Sequence, residues 1–234
     1  EMDTPHIPRV SPQALKEDLK ESMDALGVDS LDLFYLHRDD PNVPVKVIVD
    51  MLHEAINNGL VRHVGVSNWT AERIQAVEAY ASKQYGYHSF LTADQMMWNL
   101  AVPNKAEPAG PATLSMNDDL FTWHQQTKTS VFAYSSQAKG YFSKALRDDF
   151  ETNPAYGGVK ADFQNDETNR RVELVRQIAQ ETGADGTQIA LAWLMNQPFT
   201  TIPIIGCRTT AQLESSFGAL DAGLKEVVAE RLKV

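Results

Sequence analysis

The feature that most restricts the fold is an alternation running the length of the chain: an amphipathic helical pattern, a short apolar run, then helix again. Alternating units of this kind argue for a parallel sheet covered by helices. Ser11-Pro12 opens the first helix, with Ser as N-cap and Pro at the first helical position. Leu15, Leu19, Met23 and Leu26 then recur at helical spacing, and Gly27 stops the helix. Leu31 to Leu36 reads as a buried strand, followed by a helix over about Val45 to Asn58 that Gly59 ends. Val61 to Val66 is the next strand, and Thr70 caps a helix through about Lys83.

Further strands are expected at Phe90 to Met97, Val131 to Tyr134 and Thr201 to Ile205. Helices are expected over Asp118 to Gln126, Glu167 to Thr182 and Gly186 to Asn196, then from Thr209 and on to the C-terminus. From about Ser143 to Asn165 the chain reads as a long polar loop, with turn signals at Asn153-Pro154 and Gly157-Gly158. Five strands, each followed by helix, are compatible with an open sheet or with an incomplete barrel, since a closed barrel of this type needs eight.

At 234 residues and 43% hydrophobic content the chain can bury the core of one large domain or two small ones. A formal charge of −10 disfavours nonspecific nucleic-acid binding but leaves room for a small phosphate-bearing ligand held by local donors. Nothing approaches the roughly 20 consecutive apolar residues of a membrane span, and no secretory leader is visible. Cys207 is the single cysteine, so no internal disulfide and no cysteine metal cluster can form. A reducing, cytoplasmic setting is expected. The first residue is Glu1, so the natural chain is expected to begin earlier.

Five segments at predicted strand ends carry the chemistry. They are Leu31 to Arg38, Val64 to Trp69, Gln95 to Leu100, Ala133 to Gly140, and Ile202 to Arg208 leading into Gln212 and Ser216. In this order and spacing the set resembles strands four to eight of an aldo-keto reductase with the loops after them. The resemblance implies a (β/α)8 TIM barrel, lacking here its first three βα units. The chain would then be a single domain over residues 1–234, the C-terminal two-thirds of that barrel. NADP(H) would lie across the C-terminal face, and the substrate would be a small aldehyde or ketone.

By that resemblance His37 polarises the substrate carbonyl, where an imidazole N–H would stabilise developing negative charge. On residue type alone it reads rather as a His hydrogen-bonded at a strand end. Ser67, Asn68 and Gln95 would hold the nicotinamide carboxamide, although Ser and Asn also cap helices. Tyr134 would stack on the nicotinamide, or pack as an ordinary core aromatic. Ser135, Gln137 and Lys139 would line the pyrophosphate, with Ser136 and Gln137 standing where the family usually has Pro and Leu. Gly206 would admit the adenosine phosphates closely. Arg208, before a helix N-terminus, suits a 2′-phosphate. Gln212 and Ser216 complete the motif, Ser216 standing where the family usually has Asn. Trp69 and Trp98 are candidates for a substrate-pocket wall or for core. The other histidines (His6, His53, His63, His88, His124) read as surface or packing residues.

The family's Tyr, Lys and Asp match no residue of this chain. A catalytically inactive NADP-binding module, or a remnant acting through a partner, is therefore the alternative to a reductase. A metal hydrolase built on His37, Asp39 and Asp40 is disfavoured because adjacent aspartates point apart, and no metal site is expected. Oligomeric state is not legible.

Overall fold

The computed structural model describes residues 8–108 and 112–233, so His6 lies outside the described residues. The expected alternation is present. α1 (Pro12–Leu26), β1 (Leu31–Leu36), α2 (Val45–Asn57), β2 (Val61–Ser67), α3 (Ala71–Tyr85), β3 (Leu91–Met97), α4 (Asp118–Thr127) and β4 (Ser130–Tyr134) follow in order. After them come α5 (Tyr141–Ala145), α6 (Gly157–Phe163), α7 (Asp166–Thr182), α8 (Gly186–Met195), β5 (Thr201–Pro203), α9 (Thr210–Phe217) and α10 (Ala222–Arg231). The chain divides into two compact units, Glu1–Gln95 with Ala109–Ser130, and Met96–Pro108 with Val131–Val234.

In the first unit, β1 pairs parallel with β2 and β2 with β3, Tyr35 lying opposite Gly65 and Gly65 opposite Ala93. Only glycine fits at position 65: a Cβ there would lie 2.5 Å from Tyr35 Cε1 and 2.7 Å from the Ala93 carbonyl. The Tyr35 ring therefore crosses β2, and burial, with Asp94 nearby, pushes its hydroxyl up to about 12. α2 and α3 pack on each other and α2 on β2. Their inner stripes bury Ile48, Val49 and Leu52, and Ile74, Val77 and Ala81. Each large aliphatic buried in this way contributes about 1.5–3 kcal/mol.

A buried polar pair joins α4 to β3. His124 Nε2 lies 3.2 Å from Asp94 Oδ2, and His124 Nδ1 lies 3.0 Å from the Thr129 carbonyl. A carbonyl can only accept, so the network assigns the Nδ1 proton. Burial raises the Asp94 carboxyl above the usual carboxylate range, and His124 opposes that rise. His124 is thus a packing residue with a specific acidic partner.

In the second unit β4 pairs parallel with β5. α8 is its centre, packing against α5, α7, α9, α10 and β5. Ile189, Ala190, Leu191, Ala192, Trp193 and Leu194 are all buried, as expected of a helix enclosed on most sides. Asp185 starts it with a capping box completed by Gln188.

The expected loop from Ser143 to Asn165 is instead partly helical. Asn153-Pro154 opens a short 3-10 turn and Gly157-Gly158 begins α6. An aromatic cluster organises the segment. Tyr141 meets Phe142, Phe150 and Phe163 edge-on, and Phe150 stacks on Tyr156. These rings show no period in sequence, so a pattern search passes over them. β5 is shorter than the expected Thr201 to Ile205, its ladder with β4 ending where Ala133 faces Pro203.

Candidate active site

In the first unit the strand ends converge on Asn68. Its φ of 60° is a left-handed conformation that Asn tolerates better than most residues. From there Nδ2 donates to the His37 carbonyl at 3.2 Å and to Ser67 Oγ at 2.9 Å, while Oδ1 accepts from Leu114 N at 3.1 Å. Ser67 Oγ donates to the Gln95 carbonyl at 2.7 Å. The ends of β1, β2 and β3 are thereby locked to one another. His37 follows β1 directly and is exposed, held through its main chain.

Gln95 is arranged differently from Ser67 and Asn68. Its half-buried side-chain amide makes no hydrogen bond among the described residues. It therefore offers a donor and an acceptor, the complement of another amide. Trp69 is fully buried, with the Arg73 guanidinium 5.5 Å over its ring. Arg73 also pairs with Asp39 at 3.0 Å. Burial pushes the Asp39 carboxyl up, and Arg73 opposes this.

In the second unit, Tyr134 ends β4 half-buried, and its carbonyl accepts from Trp98 N at 3.3 Å. Trp98 is 8% exposed, edge-on to Trp193 and stacked on Phe199, each at 5.6 Å. The indoles read as possible pocket walls are thus packed within protein.

The loop after Tyr134 is strained. Ser135, Ala138 and Lys139 have φ of 53°, 46° and 54°. Non-glycine residues in this region cost about 1–2 kcal/mol each, and such residues cluster at functional sites. Ser136 Oγ donates to the Ile204 carbonyl at 2.6 Å. Gln137 accepts from Gly206 N at 3.1 Å and donates to Ser216 Oγ at 3.1 Å. Ser136 and Gln137, with Ser216, therefore tie the loop after β4 to the loop after β5. Cys207 Sγ lies 3.6 Å from Ser216 Oγ.

Lys139 is ion-paired to Asp162 at 2.6 Å. Lys144 donates to the Lys139 carbonyl at 2.6 Å, and burial, then Arg208 and Lys139, lowers its pKa. Arg208 is exposed just before Thr209, the N-cap of α9, and its guanidinium has no acidic partner among the described residues. A cation is disfavoured at a helix N-terminus, so guanidinium and helix together favour an anion there. Beside Gly206 a Cβ would meet open space, and Gln212 accepts from Arg208 N at 2.8 Å.

Each unit thus gathers its own residues: His37, Ser67, Asn68 and Gln95 in the first, and Ser135, Gln137, Gly206 and Ser216 in the second. Arg73 and Lys144 escaped the motif reading, because lone charged residues in a helix carry no pattern of their own, and Asp39 entered it only as a disfavoured metal ligand.

Comparison with known proteins bears on this arrangement. The chain is 29% identical to aldo-keto reductase str7 of Strobilurus tenacellus, over 95% of this chain and 63% of that protein. It is 24% identical to the aldo-keto reductase yakc [NADP(+)] of Schizosaccharomyces pombe, over 95% of this chain and 62% of that protein. The chain therefore spans a little over three-fifths of the length of these relatives. Among solved structures, the thermostable aldo-keto reductase Tm1743 in complex with the inhibitor epalrestat matches with a TM-score of 0.65 at 19% identity. That match covers 95% of this chain and 67% of the other and shows likeness of fold. The aldo/keto reductase family matches residues 1–233, essentially the whole chain, which gives no support to the expectation that an N-terminal part is absent. The chain belongs to the aldo/keto reductase family.

Proposed function

We propose that the protein is an NADP(H)-dependent oxidoreductase of the cytoplasm that reduces an aldehyde or ketone to an alcohol, with a TIM-barrel-like fold. The observation that carries this reading is His37: an exposed imidazole at the end of β1, its main chain fixed by Asn68 beside Ser67 and Gln95. The name of the fission-yeast relative, which specifies NADP(+), supports the choice of cofactor.

The residues fit such a cofactor unevenly. The amide of Gln95 suits the carboxamide, while Ser67 and Asn68 already bond each other and main chain and would exchange or share those bonds. Arg208 and Lys144 suit phosphates, Arg208 matching the 2′-phosphate that separates NADP from NAD. Tyr134, Ser135, Gln137, Lys139, Gly206, Gln212 and Ser216 would complete the binding set. Bound NADPH supplies the hydride. His37 donates an imidazole N–H to the carbonyl oxygen and stabilises the charge that develops there. The proton that completes the alcohol is assigned to no residue of this chain.

The test is turnover of a panel of aromatic and aliphatic aldehydes and ketones with NADPH and with NADH, before and after His37→Ala. Turnover with NADPH is expected, and the substitution is expected to lower kcat by about 100- to 1,000-fold with NADPH affinity retained. NADPH binding without turnover of any carbonyl would replace this reading with that of a cofactor-binding module.

A further inference from the structure

We propose that Arg73 is a positioning residue for His37, holding the main chain that carries the imidazole. The inference rests on the proposed role of His37 in polarising the carbonyl. Where an imidazole can reach is set by the position of the main chain that carries it, so a clamp on the segment after His37 bears on the catalytic group.

Two independent ties bracket that segment. Asn68 bonds the carbonyl of His37 itself. Arg73 holds the stretch from Asp39 to Val43: Nε pairs with the Asp39 carboxylate at 3.0 Å, and Nη2 donates to the carbonyls of Asp40, at 3.2 Å, and Val43. Only Arg38 lies between the two points of attachment. The anchor is itself fixed. Arg73 is the third residue of α3, and its amide donates to the N-cap hydroxyl of Thr70 at 3.2 Å. Its guanidinium lies over Trp69, a ring with no exposed surface, and only 16% of the Arg73 side chain and 14% of the Asp39 side chain are exposed.

One planar fork thus serves three acceptors and one aromatic face. A lysine ammonium keeps the charge but cannot reproduce the fork or the stacking. Displacing a catalytic group by about 1 Å costs on the order of 100-fold in rate.

The experiment compares Arg73→Ala and Arg73→Lys with wild type in the complete natural chain, using 4-nitrobenzaldehyde and NADPH as probes. Turnover and the NMR resonances of the His37 imidazole are both measured. We expect kcat to fall about 10- to 100-fold in Arg73→Ala. Recovery in Arg73→Lys should be partial, KM for the aldehyde and Kd for NADPH should stay within about two-fold of wild type, and the His37 resonances should shift. Variants that lower the melting temperature yet leave kcat and the His37 resonances unchanged would overturn the proposal, reducing Arg73 to a stabilising clip. If Arg73→Ala does not fold, Arg73→Lys carries the same measurements. If wild type turns over no carbonyl, the resonances decide alone: movement upholds the positioning role while the reductase reading fails, and no movement overturns both.

Discussion

The loop after β1 and the loop after β4 both come directly after a strand end and both carry candidate site residues, yet they are held in opposite ways. After β1, the main chain is clipped by long side chains from neighbouring elements: Asn68 on His37, and Arg73 on Asp39, Asp40 and Val43. After β4, the loop bends through left-handed residues at Ser135, Ala138 and Lys139, and Ser136 and Gln137 reach outward to Ile204, Gly206 and Ser216. The first arrangement uses side chains to leave one imidazole exposed. The second accepts backbone strain to hold a turn of a particular shape. The two loops thus reach order by different routes.

Substitutions can break or sharpen that contrast. The largest effect is expected at Asp39. Asp39→Ala strands a largely buried guanidinium and should destabilise the protein by about 3 kcal/mol, read from the urea midpoint. A loss under about 0.5 kcal/mol, the size usual for surface positions, would show that side chains do not carry the first loop.

A smaller effect should appear at Asp94, the other buried acid of the first unit. Its carboxyl titrates higher folded than unfolded, so its stabilising contribution is full below the unfolded value, near 4, and is lost as pH rises through the raised folded value. Asp94→Asn should remove that loss, so its stability relative to wild type should rise as pH climbs above the unfolded value. Parallel pH profiles of the two proteins in denaturation would contradict the assignment.

The smallest effect is expected at Ser135. Ser135→Gly relieves a left-handed residue but enlarges the freedom of the unfolded chain, leaving a net gain of about 0.5 kcal/mol. A clear loss of melting temperature would mean that the serine hydroxyl, and not the backbone, holds the second loop.

Much of the fold was legible because local signals agreed. Ser11, Thr70 and Thr209 cap the helices they were read to start. The apolar runs at Leu31 and Val61 became β1 and β2. The segment around Phe150 was not legible, because its order comes from rings that meet only after folding. The candidate site was legible as a set of residues at strand ends. Its wiring was not. Asn68 was read as a ligand for a carboxamide, and the structure also makes it a fastener that joins His37, Ser67 and Leu114.

The sequence alone determined the alternation of helix and strand, the family, and which side chains stand where strands end. Those are properties of period, of capping and of order along the chain. Tertiary structure alone decided which of those side chains are already engaged and which, like the amide of Gln95, remain available. It also brought Arg73 to Asp39, thirty-four residues apart in sequence. The physical reason is the same in each case: a polar group's partner is chosen by distance in space, and no local pattern records it.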